Sequence, residues 1–193
     1  MDATITTSLL PQPPAPSALV NKADEVFAAT SPYEGVGLRH HCRRLYHLTS
    51  ALMELRGVEF DSSLAYFIAM VHDLGLVSEQ DQGVNYLRRS LALFHRETSG
   101  MTLPEVDPEI IEQCIVYNHR VLSVPGLCDA AECFRNAVMI EHSHGLLRFG
   151  LEREQVKPIF KAYPRGNFDR VLLDFTWRTI KREPLTLVRG IFL

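Results

Sequence analysis

No apolar run in the chain approaches the ~20 residues that a membrane-spanning helix requires, so a helical membrane protein is not expected. Cysteine is scarce: Cys42, Cys114, Cys128 and Cys133 fall short of a secreted disulfide framework and show no C-x-x-C spacing. They read as reduced, small apolar groups in a cytoplasmic protein. The first residues, "MDATITTSLLPQPPAPSALV", carry an acid at position 2, no basic start and prolines where a signal peptide needs an apolar core. Basic clusters are also missing. Arg43–Arg44 and Arg88–Arg89 are isolated pairs that read as solvated helix faces, so no nucleic-acid partner is expected. There is no glycine-rich phosphate loop, no internal repeat and no run of strand periodicity.

What is present is helix-forming sequence. With 193 residues, 46% of them hydrophobic, 22% charged, and a formal charge of -3, the chain has enough apolar material for a sizeable single core. Residues 1–16 read as an extended proline-rich arm, and residues 17–193 as one all-α domain. Ser17 caps a first helix through about Ala29. In "LRHHCRRLYHLTSALMELRG", Leu38, Leu45, Leu48, Leu52 and Leu55 recur at helical spacing up to Gly57. Asp61 caps "SSLAYFIAMVHDLG", with Gly75 as its stop. Further helices are predicted over about Val84–Arg96, from Asp107-Pro108-Glu109 to about His119, over Asp129–Phe149 and Glu152–Ala162, and over Asn167–Arg182 before Pro184. A loop is expected near residues 97–107.

Of the eight histidines (His40, His41, His47, His72, His95, His119, His142 and His144), position singles out a few. His72 and Asp73 directly follow the apolar run "LAYFIAMV", so burying that helix carries two titratable groups inward. Unpaired there, they would cost several kcal/mol (~2–7 kcal/mol for a single polar group). Neighbours on a helix point ~100° apart, but at a last turn the chain can swing out and let both converge. His41 opens the preceding long helix, and antiparallel packing brings the start of one helix beside the end of the next. Two imidazoles and a carboxylate arranged in this way make a first-row transition-metal site. His40 reads as a surface or supporting residue and His47 as structural; His95 and His142 carry no assignment.

"HHCRRLY", followed about thirty residues later by "VHDLG", resembles the HD superfamily of metal-dependent hydrolases, whose pattern is H…HD…D on a helical bundle. His41 takes the place of the first histidine, Cys42 and Arg44 follow it, and His72–Asp73 form the pair. "EQCIVYNHR", with His119, is similar to a helix of cyanamide-hydratase-like members. "FRNAVMIEHSHGLLRFGL" resembles the helix that brings the final acid, and "AYPRGNF" the segment after it. The likeness runs over roughly residues 30–190. The chain departs from the family at Val138, which fills the first acidic position of A-D-x-x-D; Glu141, one turn later, is the expected substitute.

The resemblance implies an HD-type bundle with His41, His72, Asp73 and Glu141 as ligands to a divalent transition metal (zinc, iron or manganese). His144 is expected in the same pocket. Asp73 and His119 are the expected catalytic groups. Arg44 is expected either to hold an anionic substrate group or to pair with an acid inside the bundle. The implied activity is that of a small-molecule hydrolase or hydratase, with metal-bound water attacking a nitrile-like carbon or a phosphate ester. Two alternatives stand beside it: a di-iron oxygenase, with His95 and His119 as further ligands, and a non-catalytic binding module. Partners are a small-molecule substrate and, left open, a second copy of the chain.

Overall fold

In a computed structural model of the chain, residues 12–78 and 84–182 are described, the side chain of residue 182 excepted. Eight α-helices account for their regular structure, apart from one short 3-10 turn, and no strand occurs among them. Residues 12–17 are outside any helix, and Ser17 accepts the N–H of Val20 to start α1 (Ala18–Thr30) as its sequence predicts. The rest of the expected arm and the Pro184 stop lie outside the described residues. α2 (Gly37–Arg56) ends at Gly57, whose φ of 65° is the left-handed conformation that glycine adopts without penalty. Asp61 caps α3 (Ser62–Val71) by accepting the N–H of Leu64.

α4 (Tyr86–Thr98) is capped by Asn85, and α5 (Pro108–Val116) by Asp107 with proline at its start. Then come α6 (Asp129–His142), α7 (Arg153–Ala162) and α8 (Phe168–Arg182). α2 is the hub of the fold, packing chiefly on α6 and α3 and also on α7 and α8, while α1 covers α3. Leu38, Leu45, Leu48 and Leu52 of α2 enter one apolar core with Phe67 of α3, Phe94 of α4, Ile115 of α5, Phe134 of α6 and Phe168 of α8. Leu55 does not; it remains exposed at the end of α2.

Three boundaries differ from the sequence pattern. α5 stops at Val116 rather than His119, and the chain turns through residues 117–120, closed by Arg120 N–H to the Tyr117 carbonyl. α6 stops at His142 rather than Phe149, because His144 (φ 56°) and Gly145 (φ 78°) both turn left-handed and end the ladder. Leu146 and Phe149, which prolong the apolar pattern, are exposed. Finally, Gly75 does not end α3 by a left-handed turn. The chain leaves α-geometry at His72–Asp73 and enters a 3-10 turn over Leu74–Leu76, where Gly75 is buried against α4. A Cβ there would collide with the Tyr86 carbonyl and lie 2.6 Å from the Ser90 nitrogen, so glycine is required for close approach. Ser90 Oγ accepts the Gly75 N–H, and the Arg89 guanidinium donates to the Gly75 carbonyl. Each basic pair thus has one buried member, Arg44 and Arg89, and is not a fully solvated face.

Candidate metal centre

The start of α2 and the end of α3 meet as antiparallel packing requires. His41, His72 and Asp73 each point a ligand-type atom inward, all within 4.8 Å of one another, and the group could hold a metal ion. Nε2 of His41 lies 3.2 Å from Nε2 of His72. Oδ2 of Asp73 lies 3.5 Å from the first nitrogen and 3.2 Å from the second. His41 and His72 are fully buried and Asp73 nearly so.

Hydrogen bonding at the far side of each ring sets which nitrogen keeps its lone pair. Nδ1 of His72 donates to the Ala69 carbonyl (2.8 Å), which leaves Nε2 bare. Nδ1 of His41 faces Oε2 of Glu141 at 3.1 Å without hydrogen-bond geometry; burial, which would lower the His41 pKa, is outweighed by Glu141 and Asp73, which raise it. The flat face of His41 is held by Phe168, stacked at 4.1 Å and 8°. Phe168 is set in turn by Asn167, whose Oδ1 accepts the Gly37 N–H at the first residue of α2.

His119 enters from the turn after α5. Its Nε2 lies 3.4 Å from the second oxygen of Asp73, Oδ1, and the Tyr86 hydroxyl hydrogen-bonds its Nδ1 at 3.0 Å. Burial pushes the Tyr86 hydroxyl well above its ordinary pKa, so it keeps its proton. Burial also drives His119 down to about 3, overriding the attraction of Asp73, so the ring is neutral. Neither Asp73 Oδ1 nor His119 Nε2 has a hydrogen-bond partner, although both are buried. A buried carboxylate oxygen and ring nitrogen at this distance need a proton or a cation between them, and imidazole and carboxylate donors suit a cation.

His142, unassigned by sequence reasoning, belongs here as well. Its ring lies 5.8 Å from both His41 and His119, and its Nδ1 donates to the Val138 carbonyl (2.9 Å). A signal was available: positions 138 and 142 share a helix face, so a residue opposite Val138 has a neighbour there. His119 and His142 keep side-chain exposures of 13% and 33%, against 0–5% for the three converging residues, so theirs is the less covered side of the centre.

Three expectations, those for Glu141, His144 and His95, are corrected by this geometry, and one of the two readings of Arg44 is selected. Glu141 is buried, but its carboxylate meets Nδ1 of His41, the nitrogen facing away from the converging atoms; it orients a ligand rather than joining the set. Its other oxygen accepts from Nε (3.0 Å) and Nη2 (2.5 Å) of Arg44 and from Nη1 of Arg165 (2.8 Å). Burial alone would raise the Glu141 pKa, but His41 and Arg44 outweigh it and hold the carboxyl well below the usual range. Arg44 directs its remaining nitrogen, Nη1, to the Tyr163 carbonyl (2.7 Å), so it is the interior ion pair and, fully buried, is not open to a substrate anion. His144 is exposed beyond the end of α6, and His95 is exposed on α4; neither reaches the centre. His40 bonds the Pro164 carbonyl at the edge of the bundle. Tyr163, Arg165 and Phe168, all from or beside "AYPRGNF", are supporting residues that the sequence did not assign.

Comparison of the chain with protein-family models and with curated proteins returned no match in either case.

His47 has a separate, structural role. Its ring stacks on Tyr163 (5.1 Å, 17°) and its Nε2 lies 3.1 Å from the Tyr163 hydroxyl. Burial, helped by Arg43, lowers its pKa from 6.5 to about 4. Between those values the unfolded chain binds a proton that the folded chain refuses, so this contribution is complete above pH 6.5 and is lost as the pH falls toward 4. At 1.36 kcal/mol per unit, the loss is about 3 kcal/mol. Urea unfolding of the wild type should weaken more steeply over that window than unfolding of His47→Gln. Parallel pH profiles would show that His47 titrates normally in the folded chain.

Proposed function

We propose that this chain is a metal-dependent hydrolase or hydratase of the HD type, acting on a small, weakly charged molecule. The observation that carries the reading is the spacing of the converging atoms. A tetrahedral zinc ion with bonds of ~2.0–2.1 Å holds its ligand atoms about 3.3–3.4 Å apart. The distances among His41 Nε2, His72 Nε2 and Asp73 Oδ2 are 3.2, 3.5 and 3.2 Å. Zinc, iron or manganese suits an imidazole and carboxylate set. A bound cation of this kind acidifies water and makes it a nucleophile near neutral pH.

The chain's own residues bind and orient. His41 is fixed by Glu141 and Phe168, His72 by the Ala69 carbonyl, and Asp73 by its place at the break between α3 and the 3-10 turn. Outer partners of this type preserve ligand orientation and basicity. His119 lies on the less covered side of the centre. A ring driven down to about 3 is a poor proton acceptor at neutral pH, so it serves better as a neutral lone-pair donor than as a general base. With Arg44 engaged by Glu141 and Tyr163, its guanidinium is not left to bind a phosphate, which favours the nitrile-like substrate over the phosphate ester.

One observation favours a second reading with two cations. The oxygens of Asp73 face different imidazoles, Oδ2 toward His41 and His72 and Oδ1 toward His119, with His142 beside it. The test is metal analysis of protein purified without chelator, followed by reloading of chelator-treated protein with zinc, manganese or iron(II) and assay on small nitriles and phosphate esters. One equivalent of metal with hydration activity is expected, and two equivalents would select the second reading. His119→Ala should weaken metal affinity by about 10–100-fold. Unchanged affinity with lost activity would make His119 a proton-transfer group, and failure of the reloaded wild type to bind any metal would overturn the proposal.

A further inference from the structure

The last helix is apolar on two sides. α8 packs chiefly on α2, and Phe168, Val171, Phe175 and Thr179 bury its inner face. On the opposite side Leu173, Trp177 and Ile180 stand 72%, 59% and 46% exposed. Their spacing of four and three residues puts them on one line along the helix, about 10 Å long at ~1.5 Å per residue. A helix that is apolar all round belongs in an interior, so this stripe calls for a cover. Its edge carries opposite charges. Lys181 extends its ammonium over the Trp177 ring, 4.6 Å from the centroid. Asp174, bonded by Tyr33 and Arg178, keeps a side-chain exposure of 36%. Nearly two turns separate Asp174 from Lys181, so both lie along the same edge of the stripe.

We propose that α8 is the contact surface of a weak homodimer, in which the stripes of two copies pack antiparallel about a twofold axis at Trp177. The spacing is self-complementary about that residue. Leu173 lies four residues before it and Ile180 three residues after it. Reversing the helix therefore sets Leu173 against Ile180 of the second copy and brings the two indoles together. Asp174 and Lys181 lie three residues before and four after, and the twofold turns each edge of the stripe toward the same edge of its copy. Asp174 then meets the second copy's Lys181, and symmetry repeats the pair. The stripe exposes only a few hundred Å2, and two short helices cover less than the ~1,200–2,000 Å2 of a stable complex, so a dimer weaker than about 1 μM is expected. The proposal is independent of the metal reading.

Trp177 is the single tryptophan of the chain, so its fluorescence reads the stripe directly. The experiment follows the emission of the full-length protein on dilution, alongside sedimentation equilibrium over the same concentrations. The expected result is a mass that rises with concentration from 21.9 kDa toward twice that value, and an emission maximum that moves to shorter wavelength along the same curve. Leu173→Asp should weaken association about tenfold or more, because it buries a charge in the contact. Its circular dichroism should not change, since the replaced side chain stands largely outside the core. Lys181→Glu, which sets acids against acids across the axis, should weaken the dimer about threefold to tenfold. A protein that stays at 21.9 kDa at every concentration would overturn the proposal, whether its tryptophan is exposed or is covered by residues 183–193 of the same chain. A dimer unaffected by Leu173→Asp would overturn it equally, and one that Lys181→Glu does not weaken would overturn the antiparallel arrangement.

Discussion

Asp73→Ala should strip the protein of metal while leaving its helical circular dichroism largely in place. The carboxylate sits at a break in the chain rather than inside a helix, and its side chain caps nothing. Its two oxygens face three imidazole nitrogens, at 3.2, 3.4 and 3.5 Å, so its removal takes the only anionic atoms from the converging set. Losing a partner one step removed from a metal costs roughly 10–100-fold in affinity, and loss of a direct ligand should exceed that range. Glu141→Gln, which reaches the converging set only through His41 while also weakening the pairs to Arg44 and Arg165, should fall within it. Competition against a metal-binding dye would rank the two variants. If Glu141→Gln lost more affinity than Asp73→Ala, the carboxylates would have their roles exchanged.

Arg44→Ala should unfold the protein far more readily without touching the converging atoms. Arg44 is fully buried and supplies two of the three donors that satisfy Oε1 of Glu141. Breaking a buried pair by removing one partner costs about 3–5 kcal/mol, because a charge is left inside with too little compensation. Arg165 remains on Glu141 and keeps the loss near the lower end of that range. For a chain of this size, with a urea slope of about 2 kcal/mol per molar, the midpoint should fall by roughly 1–2 M. Arg44→Lys should recover little, since an ammonium cannot reproduce a fork that spans a carboxylate and the Tyr163 carbonyl. A midpoint unchanged by Arg44→Ala would mean that Arg165 and His41 alone satisfy Glu141.

The helical class and the converging trio were legible in the sequence because both depend on local rules. Apolar residues at helical spacing, Ser17, Asp61 and Asp107 as caps, and Gly57 as a stop are each set by neighbours a few residues away. The meeting of His41 with His72 and Asp73 needed one further step, the antiparallel packing of two consecutive helices. The end of α6 misled the pattern, because Leu146 and Phe149 keep the apolar rhythm after His144 and Gly145 have already turned left-handed. Gly75 looked like a helix stop, but close packing of α4 is what requires it there.

The roles of Glu141, Arg44, His119 and His142 were decided by tertiary structure alone. Sequence spacing put Glu141 on the correct face of α6, but which nitrogen of His41 it meets depends on how α6 lies against α2. Arg165, 24 residues beyond Glu141, and Phe168, which stacks on His41, reach the site only because the chain returns through residues 162–168. Local propensity carries no information about such distant pairs. A buried charge selects its partner by distance and direction in three dimensions, where neutralising it is worth several kcal/mol (~3–5 kcal/mol for a buried pair). The sequence by itself determined an all-α chain with one trio that could hold a metal ion; the packing of α2 against α6 and α8 decided which carboxylate joins that trio and which one holds the bundle together.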